Sequence, residues 1–140
     1  MKKIKLSQVQ QYFLGITLVA ILGAFIYFKK QNSFTSILDN SRYSIGEIDK
    51  ISYYKGQDYF HYIYYEKKIK YEAGIGESSS NNLFIGKRYF VIFEEGNPEN
   101  SMLLPFLFVP DSITEAPPEG WKEPPIPIDK EKIKNFLRNY

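Results

Sequence analysis

The chain of 140 residues has no cysteine, one histidine and one tryptophan. Without cysteine there is no disulfide framework, no thiolate metal site, no cysteine nucleophile and no thiol to carry an anchoring lipid. The single histidine, His61, cannot build a multi-histidine metal centre, and a catalytic histidine needs a nucleophile and an orienting carboxylate. In "YFHYIYY" it alternates with Tyr59 and Ile63 and reads as one more strand side chain. Ser78, Ser79 and Ser80 offer hydroxyls, but no nucleophile elbow surrounds them. "GIGESS" carries only the first half of a dinucleotide fingerprint and follows a hairpin strand instead of opening a helix. No catalytic residue, metal ligand or cofactor is expected.

Positive charge is also scarce outside the N-terminus. Residues 31–140 hold all 16 acidic residues against 13 of the 18 Lys/Arg, a net −3, while the whole chain is +2. A nucleic-acid partner would require a basic patch. Lys67, Lys68 and Lys70 form the only dense cluster in that stretch, and they read as a turn and a solvated strand face. No nucleic acid is expected as a partner.

What the sequence does have is a charge-free apolar run, "YFLGITLVAILGAFIYF" (Tyr12–Phe28), bracketed by Lys2, Lys3 and Lys5 and by Lys29 and Lys30. Its length matches the roughly 17–25 residues of a transmembrane helix, and aromatic residues sit at both ends, where they favour the interface. A cleaved signal peptide would end in a small-x-small site; this run continues through Phe25–Phe28 into lysines, which points to an uncleaved, single-pass anchor contacting membrane lipid. The slight lysine excess at the N-terminal end places that end in the cytoplasm and the rest outside.

Aromatics reach 17% of the chain, a composition suited to strands. The expected fold is mainly β: one transmembrane helix, a small five-stranded antiparallel sheet or barrel, a Pro-rich arm and a short C-terminal helix. The boundaries read as a basic flank over 1–11, the anchor over 12–28, a polar linker over 29–41, the β-domain over 42–110, the arm over 111–128 and the helix over 129–140. A bulge is expected near Gly46, and Pro105 requires an edge or a bulge. The Pro-rich "APPEGWKEPPIP" should run extended without ladder pairing. Asp129 fits an N-cap, with Ile128 and Ile133 as a staple.

Two stretches are candidates for function. In "EEGNPEN", Asn97 and Pro98 fit the first two positions of a type I turn. The neighbouring Glu94, Glu95, Glu99 and Asn100 would supply only part of a calcium ligand set, at a spacing that matches no calcium loop. The second candidate is the tyrosine-rich face formed by Tyr59, Tyr62, Tyr64, Tyr65 and Tyr71 with Trp121. Packing explains it first; a surface for a small ligand or glycan is the alternative. Trp121 is expected to lie against the β-domain, making the arm part of the fold.

The stretches "YSIGEI", "YYEKKIKYEA" and "IGKRYFVIFEEGNPENSMLL" together resemble a family of bacterial membrane proteins of the Bacteroidetes type, with Gly46, Tyr71, Gly86, Tyr89, Val91, Asn97, Pro98 and Ser101 at its pattern positions. The ending "VPDSITEAPPEGWKEPP" is similar to small anchored proteins of the same type. This chain departs from the commoner form of the family in having one membrane helix. The resemblance implies a β-rich domain on a membrane and no particular activity. The expected role is a non-catalytic interaction or structural module, not an enzyme, in the bacterial inner membrane with its domain on the periplasmic side.

Overall fold

The computed structural model describes residues 7–77 and 83–140. They fall into two compact units, one ending at Ser33 and the other comprising Phe34–Tyr140. Helix α1 (Gln8–Asp39) opens on a capping box: the Ser7 N–H donates to the Gln10 side chain at 2.9 Å, and the Gln10 N–H donates back to Ser7 Oγ at 3.4 Å. Within it, Gln8–Lys29 is 22 residues long with a mean hydropathy of 1.9 and is long and apolar enough to cross a membrane. The one aliphatic hydroxyl of the apolar run, that of Thr17, bonds back to the Phe13 carbonyl at 2.8 Å.

The polar stretch read as a linker over 29–41 is helical to Asp39. Its last turns, from Phe34, belong to the second unit. Ile37 is buried in that unit's core, Leu38 packs against it, and Ser36 donates its hydroxyl to the Glu94 carboxylate.

The second unit is one curled antiparallel sheet of β1 (Ser41–Tyr54), β2 (Gln57–Glu66), β3 (Ile69–Glu77), β4 (Arg88–Glu94) and β5 (Asn97–Phe108), in the order β3-β2-β1-β4-β5. Antiparallel pairing follows from the short connections. Two-residue turns join β1 to β2, β2 to β3 and β4 to β5. β1 is long enough to pair with β4 through Ser41–Glu47 and with β2 through Gly46–Tyr54. Its bulge lies between Ile48 and Lys50, not at Gly46. Pro105 sits on edge strand β5, where the register with β4 shifts between Leu103 and Phe108, as its missing N–H requires.

Inside the curl, Phe60, Tyr62 and Tyr64 of β2 face Tyr89, Val91 and Phe93 of β4, all of them buried. Each such side chain contributes about 1.5–3 kcal/mol by leaving water. The curl is tight enough for residues of non-adjacent strands to bond across it. Tyr62 Oη lies 3.2 Å from Ser101 Oγ, and Tyr64 Oη donates to the Pro98 carbonyl.

Helix α2 (Lys130–Asn139) begins as expected, with Asp129 accepting from the Lys132 N–H at 3.0 Å. It buries Ile133 and Leu137. Its Phe136 ring meets Phe106 of β5 at 5.4 Å, and Tyr140 Oη accepts from the Gly76 N–H of β3 at 2.7 Å. The helix therefore fastens the two free edges of the half-barrel to each other.

The Pro-rich arm does make a ladder contact. Tyr43 and Trp121 exchange two backbone hydrogen bonds of 2.8 Å, and the Lys67 N–H donates to the Pro118 carbonyl. The arm takes the side of β1 that β2 leaves unpaired before Gly46. Trp121 packs on Phe90 at 5.9 Å, so the expectation that it lies against the β-domain holds.

Candidate functional site

The tyrosines proposed as a binding face separate into two groups. Strand alternation turns Tyr62 and Tyr64 inward, where they are fully buried. Tyr64 stacks on Tyr71 at 5.4 Å and meets Phe93 at 5.8 Å. Burial pushes the Tyr64 phenol up to about 12 and raises that of Tyr62 further. These two cannot form a surface, and Tyr71 is half-buried beside them. On the opposite face of β2, Tyr59 lies across Gly74 and meets the His61 ring edge-on at 5.1 Å. Only Tyr65 is well exposed, at 52%.

His61 has a partner that the sequence did not suggest. Its Nε2 lies 2.9 Å from Ser52 Oγ. A serine–histidine pair needs a third group to orient the ring and free N–H donors for an oxyanion. No orienting bond to His61 is present among the described residues. Both residues sit within paired strands, Ser52 opposite Tyr59 and His61 opposite Lys50, and His61 lines a 390 Å³ hollow with Asp49, Lys50 and Glu72, none of which bonds its ring. The pair is a cross-strand contact.

The acidic turn is structural. The two residues between β4 and β5 are Glu95 and Gly96, with Gly96 at φ +85°. Asn97 and Pro98, expected at the head of a type I turn, instead begin β5. Glu94 accepts from Ser36, from Asn100 at 2.9 Å and from Asn97 at 3.4 Å, with Asn100 the largest cause of its lowered pKa. Glu95 pairs with Arg42 at 2.5 Å, and its N–H donates to the Asn40 carbonyl at 2.8 Å. These carboxylates strap the end of α1 to the sheet. No cluster suited to a metal ion occurs among the described residues.

A larger concave feature of the β-domain lies beneath the arm. A cleft of 570 Å³ is floored by Ile45, Ile63 and Tyr65, and Ala116, Pro117 and Pro118 form its far wall. Lys67, Lys68 and Arg88 bring positive charge to it, and Glu47 and Glu115 bring negative charge. Arg88 is already committed, donating to the Ile113 and Thr114 carbonyls at 2.9 and 3.4 Å. Lys67 meets Glu66 at 3.2 Å. Lys68 makes no ion pair among the described residues.

The turn that carries these lysines is unusual. Lys67 and Lys68 have φ of 49° and 66°, the type I′ pattern. The other such hairpin turn, Lys55–Gly56, follows the usual preference by placing glycine second. Holding a side-chain-bearing residue in this region costs on the order of 1–2 kcal/mol.

Comparison with protein-family models, with curated proteins and with solved structures finds no match for this chain.

Proposed function

We propose that the chain is a membrane-anchored, non-catalytic interaction module, held in the bacterial cytoplasmic membrane by an uncleaved Gln8–Lys29 helix, with its β-domain on the outer side. The observation that carries this reading is the set of exposed apolar side chains carried by the β1–β2 hairpin and by the β3–β4 connection. The β1–β2 hairpin presents Tyr53 and Tyr54, 74% and 60% exposed. The β3–β4 connection presents Phe84 and Ile85, and its Gly86 N–H donates to the Ile48 carbonyl, which brings that connection alongside the middle of β1. Lys87 lies over both Phe84 and Phe108, at 5.6 and 5.1 Å. Apolar rings beside a cation suit a protein partner better than bulk water. The resemblance to anchored bacterial proteins points the same way.

A photocrosslinking residue at Tyr54 or Phe84 of the full chain, in its native membranes, tests the module reading. A discrete protein adduct from these positions and none from Lys70 supports it. No adduct, or equal adducts from all three, overturns it. Protease added to intact spheroplasts tests the orientation: removal of the β-domain supports an outward domain, and protection of a domain that is cleaved after lysis refutes it.

A further inference from the structure

We propose that the cleft beneath the Pro-rich arm is a binding site for a small anion with a flat apolar body, its charge on Lys67 and Lys68 and its body over Tyr65. This goes beyond the interaction surface just described, uses different residues, and shares neither its evidence nor its test.

Three observations carry the inference. The first is volume. At 570 Å³ the cleft lies within the range of small-molecule sites, and it is lined from β1, from β2 and its following turn, from Arg88 and from the arm. The second is composition. An exposed tyrosine ring and two aliphatic side chains form the floor, so a planar group has a surface on which to stack.

The third is the turn. A two-residue turn in the type I′ conformation is filled most cheaply by Asn-Gly, and the other two-residue turn of this pattern in the chain includes a glycine. Here two lysines occupy both left-handed positions, side by side, with like charges adjacent and Lys68 unpaired among the described residues. Strain retained where the local rule would remove it marks a position kept for a reason other than folding. The reason this geometry offers is cationic: two ammonium groups at the cleft, Lys68 without an ion pair among the described residues and Lys67 shared with Glu66 at 3.2 Å. Arg88 cannot serve equally, because its guanidinium already holds the Ile113 and Thr114 carbonyls in place. Glu47 and Glu115 line the same cleft and disfavour a ligand with more than one or two negative charges.

The test uses the full chain in neutral detergent, with 3-fluorotyrosine at Tyr65 and, separately, at Tyr53 as a remote control. Phenyl phosphate and benzoate are the anionic probes; benzyl alcohol and benzylamine are their neutral and cationic counterparts. The fluorine resonance at Tyr65 is expected to shift saturably with an anionic probe while that at Tyr53 stays fixed. The stronger of the two anions distinguishes a phosphate from a carboxylate ligand. Lys67→Asn with Lys68→Gly restores the favoured turn, so the variant should melt at the same temperature or higher yet bind at least about tenfold more weakly, the loss of one charge-assisted contact. Lys68→Gln, which alters charge without changing the turn residue class, should weaken binding in the same direction. No saturable shift, equal shifts with benzyl alcohol or benzylamine, or unchanged affinity in both variants would overturn the proposal.

Discussion

Gly120→Ala offers a direct measure of how firmly the arm belongs to the fold. Gly120 has φ +73°, and a Cβ placed there would lie 2.6 Å from the Tyr43 carbonyl oxygen and 3.0 Å from the Phe93 ring. The left-handed backbone alone costs about 1–2 kcal/mol for alanine. The contact adds more, because neither neighbour can yield freely. The Tyr43 oxygen is held by the Trp121 N–H, and Phe93 is buried in the core. Relief requires opening the Tyr43–Trp121 pair, with two backbone bonds worth about 0.5–1.5 kcal/mol each. The sum is about 2–5 kcal/mol. Gly56 supplies the control, since it has φ +84° but nothing within 4 Å of its added Cβ. Gly56→Ala should therefore cost only the backbone part, about 1–2 kcal/mol. The assay is urea denaturation of the full chain in mild detergent, followed by the emission of Trp121, the sole tryptophan. The difference of about 1–3 kcal/mol, divided by a slope of about 1–3 kcal/mol per molar urea, places the midpoint of Gly120→Ala about 0.3–3 M below that of Gly56→Ala. Its native emission should also shift to the red. Equal midpoints with unchanged emission would show that the arm rests on the sheet without being locked to it.

Tyr62 and Tyr64 should make the fold alkali-labile. Their folded pKa values lie above the ordinary 10, so the stability they contribute is intact below pH 10 and falls by about 1.4 kcal/mol per pH unit for each as pH rises toward their folded values, measurable as loss of cooperative melting together with late phenolate absorbance. Leu137→Ala should destabilise by about 2–5 kcal/mol and Tyr140→Phe by about 0.5–1.5 kcal/mol, since one empties a buried site and the other removes a hydroxyl bonded to the Gly76 backbone; equal and negligible effects in thermal unfolding would mean that α2 does not close the seam. Glu94→Ala should cost about 1–3 kcal/mol by removing the acceptor shared by Ser36, Asn97 and Asn100, whereas exposed Glu99→Ala should leave the melting temperature unchanged. Because the Glu94 pKa is lowered, its contribution is present above the ordinary carboxylate value of 4.5 and is lost as pH falls through the lower folded value, so the wild type and Glu94→Ala should converge in acid.

The parts of this fold that were legible in the sequence are those whose cause is local. The charge-free run specifies a membrane-compatible helix by composition alone, and Asp129 with the Ile133–Leu137 stripe specifies α2 by capping and periodicity. The hairpins follow from short turns between alternating strands. Where a distant partner decides, local reading failed. The last turns of α1 are polar, and what keeps them helical is Ile37 in the core and Ser36 on Glu94, 58 residues away. Asn97–Pro98 has good turn chemistry, but Gly96 supplies the positive φ one residue earlier, and an edge strand tolerates the proline. "YFHYIYY" has large residues on both faces, so alternation could not tell which tyrosines point inward. The cleft draws on residues 44–47, 63–68 and 114–118, which no local pattern joins. Its one local signal was a two-lysine turn without glycine.

The inward tyrosines also explain why this sheet uses Tyr where Phe would seem to suffice. A sheet of five strands that curls without pairing its edges must be held by its contents. A phenylalanine at position 62 or 64 would fill the same volume but stop short of β5. The phenol hydroxyl carries the side chain across to Ser101 or to the Pro98 carbonyl, so each tyrosine is both filling and tie. A buried hydroxyl is costly unless bonded, and here each bond is made to the strand that the sheet order keeps farthest from β3. α2 repeats the solution from outside, with Tyr140 on β3 and Phe136 on β5. Much of the aromatic content is thereby assigned to closing the half-barrel. The rings left over for recognition are those with no architectural partner: Tyr53 and Tyr54 at the hairpin end, and Tyr65 on the floor of the cleft.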